Sequence, residues 1–579
     1  MNIEHSRHTL AHLLAAAIKE LYPEAKPTLG PAIENGFYYD FDFGVSKPSG
    51  EDALGTIEAT MRKLLPLWEK FDHKVVSHTE AREYFKDNTY KLELIDDIQS
   101  SGEEITFYTC GGFTDLCRGG HSERPNKDIK AESFKLERMA GAYWRGNEKK
   151  PMLTRVYGLA FENKKGLDEF LTQREEAKKR DHRKLGKELG LFTIVDEIGP
   201  GLPLFYPKGA VLRRTIEEYI TKLQERAGYV PIWIPHITKG KLYEISGHLD
   251  KYDAMYTPMR IDDEDYYLKP MNCPHFMMLY KTLPHSYREL PVRYTSTTTN
   301  YRYEKSGELS GLTRVRSLTQ DDCHVFCMPE QIEKEITLMT TMIAQVYKTF
   351  GFADFWVRIS LRDSKNKAKY LGEDEVWDMA ENALRNVVAK TGWRFSEAED
   401  EAAFYGPKLD FIFKDVLGRD WQLSTIQLDF NLPKRFELEY TDDTGGKSQP
   451  VVIHRAMLGS TERFMGILIE HYAGAFPTWL APVQVKILPI ADAHLAFATE
   501  VYETLLDADI RVELDTSNET LGKKIREAKT HKVPYMLVIG DQEVAGHLAT
   551  LESRDKGKIG QLTIEDTVAK IAQEIKDRV

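Results

Sequence analysis

Hydrophobic residues recur with two different periods along the middle of the chain. Over residues 209–228 they fall on one face at helical spacing, and an apolar run follows at 229–235. This predicts an amphipathic helix and then a buried strand. Farther on, alternating residues predict strands at 291–302, 314–326, 409–414 and 421–430, with helices at their flanks. The pattern favours a mostly antiparallel sheet that carries a site on one face.

The two ends of the chain are patterned differently from the middle. The first part predicts a self-contained α+β domain, and the charged, weakly periodic stretch after it is typical of a solvated helix, with phosphate contact as the alternative. Near the other end, apolar runs at 483–490, 510–514 and 535–539 predict a mainly parallel α/β unit. We therefore predict an α+β multidomain protein with parts at 1–157, 158–195, 196–481 and 482–579.

Composition adds limits to this picture. With 579 residues, of which 42% are hydrophobic and 29% charged, the chain has the make-up of an ordinary globular protein of several domains. No apolar run approaches the ~18 residues of a membrane helix, and no charged-then-apolar leader opens the chain. Five cysteines, spread widely, suggest a reducing cytoplasm more than a disulfide framework. The net charge of −12 argues against nonspecific nucleic-acid binding, but it leaves room for local basic patches.

A candidate metal site comes from three distant residues. Cys273, His324 and His454 make a plausible three-ligand zinc set, which would leave a fourth position for a substrate. Their separations match no short metal motif, and a lone histidine at a strand end is more often structural. The ligand set is therefore a hypothesis that needs support from neighbouring residues.

Candidate anion-binding arginines surround these residues in the sequence. A polar, glycine-containing turn between two extended runs predicts a hairpin that would aim Arg302 and Arg314 into one site. Ser460 is a good helix N-cap, which places Arg463 in the first turn, where backbone N–H groups also favour an anion. No Gly-x-x-x-x-Gly-Lys-Ser/Thr loop and no Gly-x-Gly-x-x-Gly fingerprint is evident, so a bound nucleotide would depend on such arginines.

The N-terminal part has a second cluster. His8 and His12 lie four residues apart on one face of a predicted helix, and Cys117 and His121 are also four apart. By their chemistry these residues suggest a zinc site with three histidines and one cysteine. The alternative is that the two helical histidines are surface or capping residues.

Several motifs, taken in order, resemble those of bacterial-type threonyl-tRNA synthetases, a family of class II aminoacyl-tRNA synthetases. The resemblance covers nearly the whole chain and rests on Met271-Asn272-Cys273-Pro274, Arg302 to Glu304, Gln320-Asp321-Asp322-x-His324, Phe404-Tyr405-Gly406-Pro407-Lys408 and Gly459-x-x-Glu462-Arg463. It implies an N-terminal editing domain at 1–157, a linker helix at 158–195, a class II antiparallel-sheet catalytic domain at 196–481 and an anticodon-binding domain at 482–579. It also implies a homodimer formed through the 209–235 region.

The resemblance assigns roles in the synthesis of threonyl-tRNA(Thr) from L-threonine, ATP and tRNA(Thr). It implies one Zn²⁺ per subunit on Cys273, His324 and His454, and Mg²⁺ with ATP. The implied substrate-binding residues are Asp322, Tyr405, Gln320, Gln427 and Ser460. The implied ATP-binding residues are Arg302, Glu304, Arg314, Gln422 and Arg463, and the implied catalytic residues are Arg302, Arg463, His248 and Lys408.

The resemblance also implies that the N-terminal domain hydrolyses seryl-tRNA(Thr), and it favours a metal-free cluster there. Serine lacks only a methyl group of threonine, a difference worth about 1–3 kcal/mol and too small for accurate protein synthesis. A second, hydrolytic site is therefore expected. The implied editing residues are His8, His12, Tyr39, Lys91, Asp115, Cys117 and His121.

The sequence departs from the family pattern in places. Asn518, Arg526 and Glu543 fall on anticodon-contact positions, but Glu552 stands where members carry an arginine. His275 stands where bacterial members commonly have glycine; it is too close to Cys273 to displace His324 without strain. The chain as given leaves no room for the ubiquitin-like domain that opens many members.

Two other assignments stay open from the sequence. One is a class II synthetase for serine or proline, and the other is a tRNA-binding regulator or editing factor that has lost synthesis. The arginine set and the Cys/His set favour a threonine enzyme over both.

Overall fold

The computed structural model describes residues 2–45, 47–48, 50–352 and 354–578. Met1 and Val579, the outer ends of the first and last predicted domains, lie outside the described residues. The chain divides into two compact units, Met1–Glu175 and Glu176–Val579. Within the described ranges, none of the helices combines the length and the apolar character needed to cross a membrane.

The first unit is built on one long helix, Ile3–Leu21. Asn2 begins it, since the side chain accepts the N–H of Glu4. All residues from Thr9 to Ile18 are buried, so this helix is the centre of the core of the unit. The helix prediction for His8 and His12 is confirmed.

Two antiparallel sheets complete the first unit. The order in the larger is Lys26–Pro27, Gly36–Asp42, Met152–Ala160 and Phe134–Tyr143, and Ala32–Ile33 pairs with the second of these. The smaller contains Asp72–Val76, Ile105–Cys110 and Phe113–Leu116. The other helices are Gly50–Leu64, His78–Tyr84, Thr89–Ser101 and Pro125–Asp128, with 3-10 turns at Leu65–Leu67 and Trp144–Gly146, and Lys164–Arg180 spans the sequence boundary between the units.

An eight-stranded sheet forms the centre of the second unit. Its order is Val230–Pro231, Val292–Tyr301, Ser317–Cys327, Val451–Ala456, Asp420–Asp429, Lys408–Lys414, Phe355–Ser360 and Phe395–Ala398. All neighbours are antiparallel except the outermost pair at each edge, which confirms the mostly antiparallel prediction.

Two strand predictions in this region were too long. Of residues 229–235 only Val230–Pro231 pairs in the sheet. The Ile232 N–H still donates to the Thr295 carbonyl, and Pro235 has no N–H with which to continue the ladder. Arg314 lies outside the strand Ser317–Cys327, in a turn that contacts Ser310.

Helices cover this sheet, and the predicted amphipathic helix is present at Pro207–Arg226. The others before the C-terminal part are His182–Glu188, Lys241–Ser246, His248–Lys251, Cys273–Lys281, Ile332–Thr349, Asp374–Thr391, Asn431–Arg435 and Thr461–His471. Short 3-10 turns lie at Ser306–Glu308, Pro329–Gln331 and Lys367–Lys369. Small antiparallel sheets join Phe192–Thr193 to Leu204–Phe205, Ile237–Lys239 to Glu264–Leu268 and Met259–Ile261, and Tyr440–Thr441 to Lys447–Ser448.

The C-terminal part has its own five-stranded sheet, in the order Val512–Leu514, Val485–Pro489, Tyr535–Ile539, Leu548–Ser553 and Gly557–Thr563. The first three strands are parallel, as predicted. The last two are antiparallel, and the sequence analysis did not identify them. The helices here are Leu495–Asp507, Leu521–Thr530, Asp541–Gly546 and Ile564–Asp577, with a 3-10 turn at Asp492–His494.

Candidate active sites

The register of the large sheet brings several predicted site residues into one row. His324 lies directly opposite His454, Gln427 lies opposite His454 on its other side, and Lys408 lies opposite Gln427. Residues directly opposite on neighbouring strands share a face and are in contact range. The two histidine rings are accordingly 4.4 Å apart between centroids.

Cys273 completes a group of metal-type donors. It begins the helix Cys273–Lys281, and its Sγ and the nearest ring nitrogens of His324 and His454 all lie within 4.8 Å of one another. All three residues are buried. The sequence therefore identified three donors that the fold does bring together.

The hydrogen bonding of these histidines fits a metal ion. Both ring nitrogens of His324 and Nδ1 of His454 are buried without a hydrogen-bond partner among the described residues, a condition that costs about 1–3 kcal/mol per group. The other nitrogen of His454, Nε2, is 3.0 Å from Oδ2 of the buried Asp429. A carboxylate in this position fixes the tautomer of a metal-binding histidine, so the donor set suits Zn²⁺.

His275 is not among the converging donors. Its ring is buried, and burial together with the positive charge of Lys269 lowers its pKa to about 4. It is therefore a neutral side chain beside the donor set.

A buried hydrogen-bonded chain that sequence analysis missed supports Asp322. Lys269 Nζ donates to Asn272 Oδ1 at 2.9 Å and to Thr298 Oγ1 at 2.7 Å, and Asn272 Nδ2 donates to Asp322 Oδ2 at 2.8 Å. Burial lowers the pKa of Lys269 to about 8 and raises that of Asp322 to about 6. The only sequence signal was the position of Lys269 and Asn272 beside Cys273.

Other predicted substrate residues meet near the same row. The Tyr405 hydroxyl donates to Gln427 Oε1 at 2.5 Å, and its ring stacks on His454 at 5.1 Å. Gln320 donates to the Gly459 carbonyl at 3.1 Å. These contacts hold three predicted residues in defined orientations around the donor set.

His248 is fully buried, and its Nε2 is 3.2 Å from Met271 Sδ. Its Nδ1 is 2.8 Å from Ser246 Oγ, and burial together with the charge of Arg302 lowers its pKa to about 3. The ring is therefore neutral at physiological pH.

Three arginines form a cationic cluster at the sheet end. Arg463 Nε donates to the Thr313 carbonyl at 2.9 Å, and Ser460 Oγ accepts the Arg463 N–H at 3.2 Å, as the N-cap prediction required. Burial and then the charges of Arg302 and Arg314 lower the pKa of Arg463. Mutual repulsion of this kind, next to a helix N-terminus, favours a bound polyanion.

Carboxylates orient several of the remaining residues. Arg314 forms an ion pair with Glu304 at 2.8 Å. The fully buried Asp410 accepts hydrogen bonds from Lys408 and Gln422, both at 2.8 Å, and from Arg358 at 3.2 Å. Asp410 and Arg358 were missed because nothing in the strand pattern indicates which polar side chains meet across it.

The N-terminal cluster is assembled around a cavity of about 650 Å³. His8 Nε2 is 3.3 Å from His12 Nε2 and 3.5 Å from Cys117 Sγ, and Cys117 Sγ is 3.5 Å from His121 Nε2. The structure thus brings all four predicted residues together. The cavity is lined in part by His8, His12, Tyr39, Lys91, Asp115 and Cys117, whereas His121 contacts Cys117 without lining the cavity.

Charges at the base of this cavity are paired. Asp115 is buried between Lys91 Nζ at 2.5 Å and His12 Nδ1 at 3.2 Å, and it also accepts the Tyr39 hydroxyl. Burial alone would raise the pKa of Cys117, but hydrogen bonds with His12, His121 and His8 lower it to about 3. Burial would likewise lower the pKa of His12, but Asp115 and Cys117 raise it to about 9. A thiolate and an imidazolium therefore lie side by side.

The residues predicted to contact the anticodon differ in solvent exposure. Asn518 and Arg526 are exposed, whereas Glu543 is buried and accepts bonds from the Gly540 N–H, Thr550 and Gln561. Glu552 is paired with Lys529 at 2.8 Å. The negative charge of Glu552 is therefore compensated within the protein by Lys529.

Comparisons with known proteins give the class to which this fold belongs. Residues 256–472 match the family described as "tRNA synthetase class II core domain (G, H, P, S and T)", and residues 484–574 match "Anticodon binding domain". Sheet, donor set and arginine cluster thus belong to a class II aminoacyl-tRNA synthetase.

Full-length relatives define the family within this class. The chain is 50% identical to the threonine–tRNA ligase of Rubrobacter xylanophilus over 95% of its own length and 85% of the relative, and 50% identical to that of Clostridioides difficile over 99% and 88%. A crystal structure of the RNA binding domain of threonyl-tRNA synthetase from Cryptosporidium parvum superposes with a TM-score of 0.65 at 37% identity, covering 68% of this chain and 98% of that one. The chain belongs to the threonine–tRNA ligase family. This confirms the predicted family, and the seryl, prolyl and non-catalytic alternatives are not supported.

The charge pairing around Cys117 predicts a pH-independent thiolate. Because its pKa is held at about 3, alkylation of Cys117 by iodoacetamide should change less than about threefold between pH 5 and pH 8, whereas an ordinary thiol gains roughly tenfold per pH unit below its pKa of ~8.5. The His12→Ala variant should regain a steep rise with pH. Mass spectrometry of the Cys117 peptide measures both rates, and a steep rise in the parent protein would contradict the pairing.

Proposed function

We propose that this enzyme activates L-threonine with ATP, transfers it to tRNA(Thr), and hydrolyses seryl-tRNA(Thr) in its N-terminal part. The convergence of Cys273, His324 and His454, with unpaired imidazole nitrogens, is the observation that carries the synthetic function. We assign editing to residues 1–157, a linker helix to 158–195, catalysis to 196–481 and anticodon binding to 482–579. The enzyme acts in the cytoplasm.

The threonine subsite centres on the donor set. Cys273, His324 and His454 would hold one Zn²⁺ per subunit, and the ion would supply a Lewis acid for the amino and hydroxyl groups of the substrate. Asp322, oriented by Asn272 and Lys269, accepts a hydrogen bond from the substrate amine. Tyr405 and Gln427 bind the hydroxyl group of the substrate. Gln320 and Ser460 complete the subsite.

The ATP subsite uses the cationic cluster. Arg302 bridges the threonine carboxylate and the α-phosphate, and Arg463 binds the γ-phosphate, so that both stabilise charge as the carboxylate attacks. Glu304 accepts a hydrogen bond from the adenine amino group, and Arg314 and Gln422 line the nucleotide site. Mg²⁺ accompanies the phosphates. Pyrophosphate then leaves.

The transfer step places the terminal ribose of tRNA(Thr) beside threonyl-adenylate. The neutral imidazole of His248 can accept a hydrogen bond from the attacking hydroxyl. Lys408, held on Asp410 at 2.8 Å, adds positive charge near the reacting carbonyl.

Editing uses the cavity of the N-terminal cluster without a metal. The four Cys/His ligand atoms also lie within 4.8 Å of one another, but His12 Nδ1 is 3.2 Å from the buried Asp115 and the Cys117 thiolate is compensated by the histidines, so we assign the cluster a metal-free role. The Cys117 thiolate and the histidines bind an attacking water and the misacylated ribose, with Tyr39, Lys91, Asp115 and His121 holding them in place.

Dimerisation fits the apolar surface near the sheet edge. Val230 pairs in the edge strand and is 55% exposed, and Trp233, two residues beyond its end, is 79% exposed. Burying such side chains in a homodimer is favourable at about 25 cal/mol per Å².

The anticodon surface lies around Asn518 and Arg526, with Glu543 orienting its neighbours through the bonds described above.

Loss of the thiolate ligand should abolish threonine activation. Metal analysis should give one zinc per chain for the parent protein and less than a tenth of that for Cys273→Ala, whose ATP–pyrophosphate exchange with threonine should fall below detection. Cys110→Ala, which removes a buried cysteine outside the catalytic part, should keep both zinc and activity. Full exchange by a zinc-depleted preparation would contradict the assignment.

Loss of the N-terminal cluster should separate editing from synthesis. The double variant His8→Ala/Cys117→Ala should deacylate seryl-tRNA(Thr) at least ~100-fold more slowly, as expected for loss of acid–base groups, while threonine activation stays within twofold. His78→Ala, which changes a histidine elsewhere in this unit, should edit normally. A second zinc that disappears in the double variant would show that the cluster holds a metal.

Loss of the exposed guanidinium of Arg526 should weaken tRNA binding alone. Arg526→Ala should raise KM for tRNA(Thr) by the equivalent of about 1–3 kcal/mol and leave ATP–pyrophosphate exchange unchanged. Lys523→Ala, on the same helix but paired with Glu519, is the matched control. Equal effects of the two variants on aminoacylation would argue against a base contact by Arg526.

A further inference from the structure

The segment that follows the N-terminal unit in the sequence makes an unusual set of contacts through His182. This residue begins the helix His182–Glu188 and is 3% exposed. Its Nδ1 is 2.7 Å from Glu470 Oε1, and its backbone N–H donates to the same oxygen at 3.1 Å. Its Nε2 accepts the N–H of Leu312 at 3.0 Å. Because a backbone amide can only donate, Nε2 carries no hydrogen and Nδ1 donates to Glu470.

Two glycines pack closely against this ring. Gly311 has a φ of +47°, and a Cβ there would lie 2.2 Å from His182 Nε2. A Cβ on Gly466 would lie 3.3 Å from Leu312 Cβ and 3.5 Å from His182 Cδ2. The turn, the ring and the helix Thr461–His471 are therefore in close contact.

Asp181, His182 and Glu470 lie together, but these potential metal ligands do not form a metal site. Asp181 accepts bonds from the backbone and side chain of Arg183. Glu470 Oε2 accepts Arg419, and both ring nitrogens of His182 are already bonded. Each of these three side chains is therefore already hydrogen-bonded within the protein.

The contact continues to the cationic cluster. The residue after Leu312 is Thr313, whose carbonyl accepts Arg463 Nε at 2.9 Å. Arg463 and Glu470 are on the same helix. His182 therefore fixes one peptide of the turn, and Arg463 is bonded to the next.

We propose that His182 is a positioning residue for ATP: it holds the Leu312–Thr313 turn against the helix Thr461–His471 and so orients the guanidinium of Arg463. This inference rests on the proposed role of Arg463 in binding the γ-phosphate. The helix keeps other anchors, since Arg180 donates to the carbonyls of Glu470 and His471 and Arg419 binds Glu470. A change at His182 should therefore act on the turn more than on folding.

Replacing His182 by asparagine or by glutamine tests the two hydrogen bonds of its ring separately. In His182→Asn the amide can replace Nδ1 and donate to Glu470, but nothing accepts the Leu312 N–H. In His182→Gln the amide oxygen can reach the position of Nε2. We expect His182→Asn to raise KM for ATP about 5- to 20-fold in ATP–pyrophosphate exchange, as for a buried N–H left unpaired. KM for threonine should stay within twofold, and His182→Gln should restore most of the loss.

The alternatives give distinct results. Equal shifts in both KM values, equal effects of the two variants, or an unchanged KM for ATP would overturn the inference while leaving the proposed function intact. Absence of exchange in the parent enzyme would overturn both. If the His182 variants do not fold, Gly311→Ala should raise KM for ATP by displacing the ring, whereas Gly307→Ala, which has open space around it in the same turn region, should not; identical behaviour of these two would also overturn the inference.

Discussion

The antiparallel register that sets His324 opposite His454 is the constraint on which the catalytic part depends. Shifting a strand by one residue would send each side chain to the other face of the sheet, so this register keeps the two imidazoles on the face where they meet Cys273. Their buried, unpaired nitrogens are costly in the protein by itself. The fold therefore holds buried, unpaired imidazole nitrogens beside a cysteine, an arrangement that suits a metal ion.

Buried carboxylates orient the groups around this centre. Asp429 holds His454, and Asp410 gathers Lys408 with Gln422 and Arg358. Asp322 is the end of a chain that starts at Lys269. Such groups are expensive to bury unless they are bonded, and here each is bonded to a side chain that it holds in one orientation. Removing a supporting carboxylate or lysine should thus disturb the site without touching a substrate.

The two Cys/His clusters show that the same residue types can be prepared for different chemistry. In the catalytic set both ring nitrogens of His324 are buried without a hydrogen-bond partner among the described residues, which suits a metal. In the N-terminal cluster His12 is paired with Asp115, and Cys117 with the histidines, so charge is balanced inside the protein and a thiolate is stabilised. The difference lies in the hydrogen-bond partners, which the identities of the four residues do not reveal.

Much of this protein follows from its sequence alone. Periodicity predicted a helix at 209–228, found at Pro207–Arg226, as well as the antiparallel strands and the parallel C-terminal strands, since burial on one face imposes a hydrophobic repeat on the sequence. Joint motifs indicated the family and the three metal-type donors. Only the tertiary structure decided that Val230–Pro231 is the whole edge strand, that Lys269 and Asp429 support the site, and that His182 contacts Leu312. These contacts join residues far apart in sequence through register and packing, and no local pattern encodes which buried polar atoms will meet.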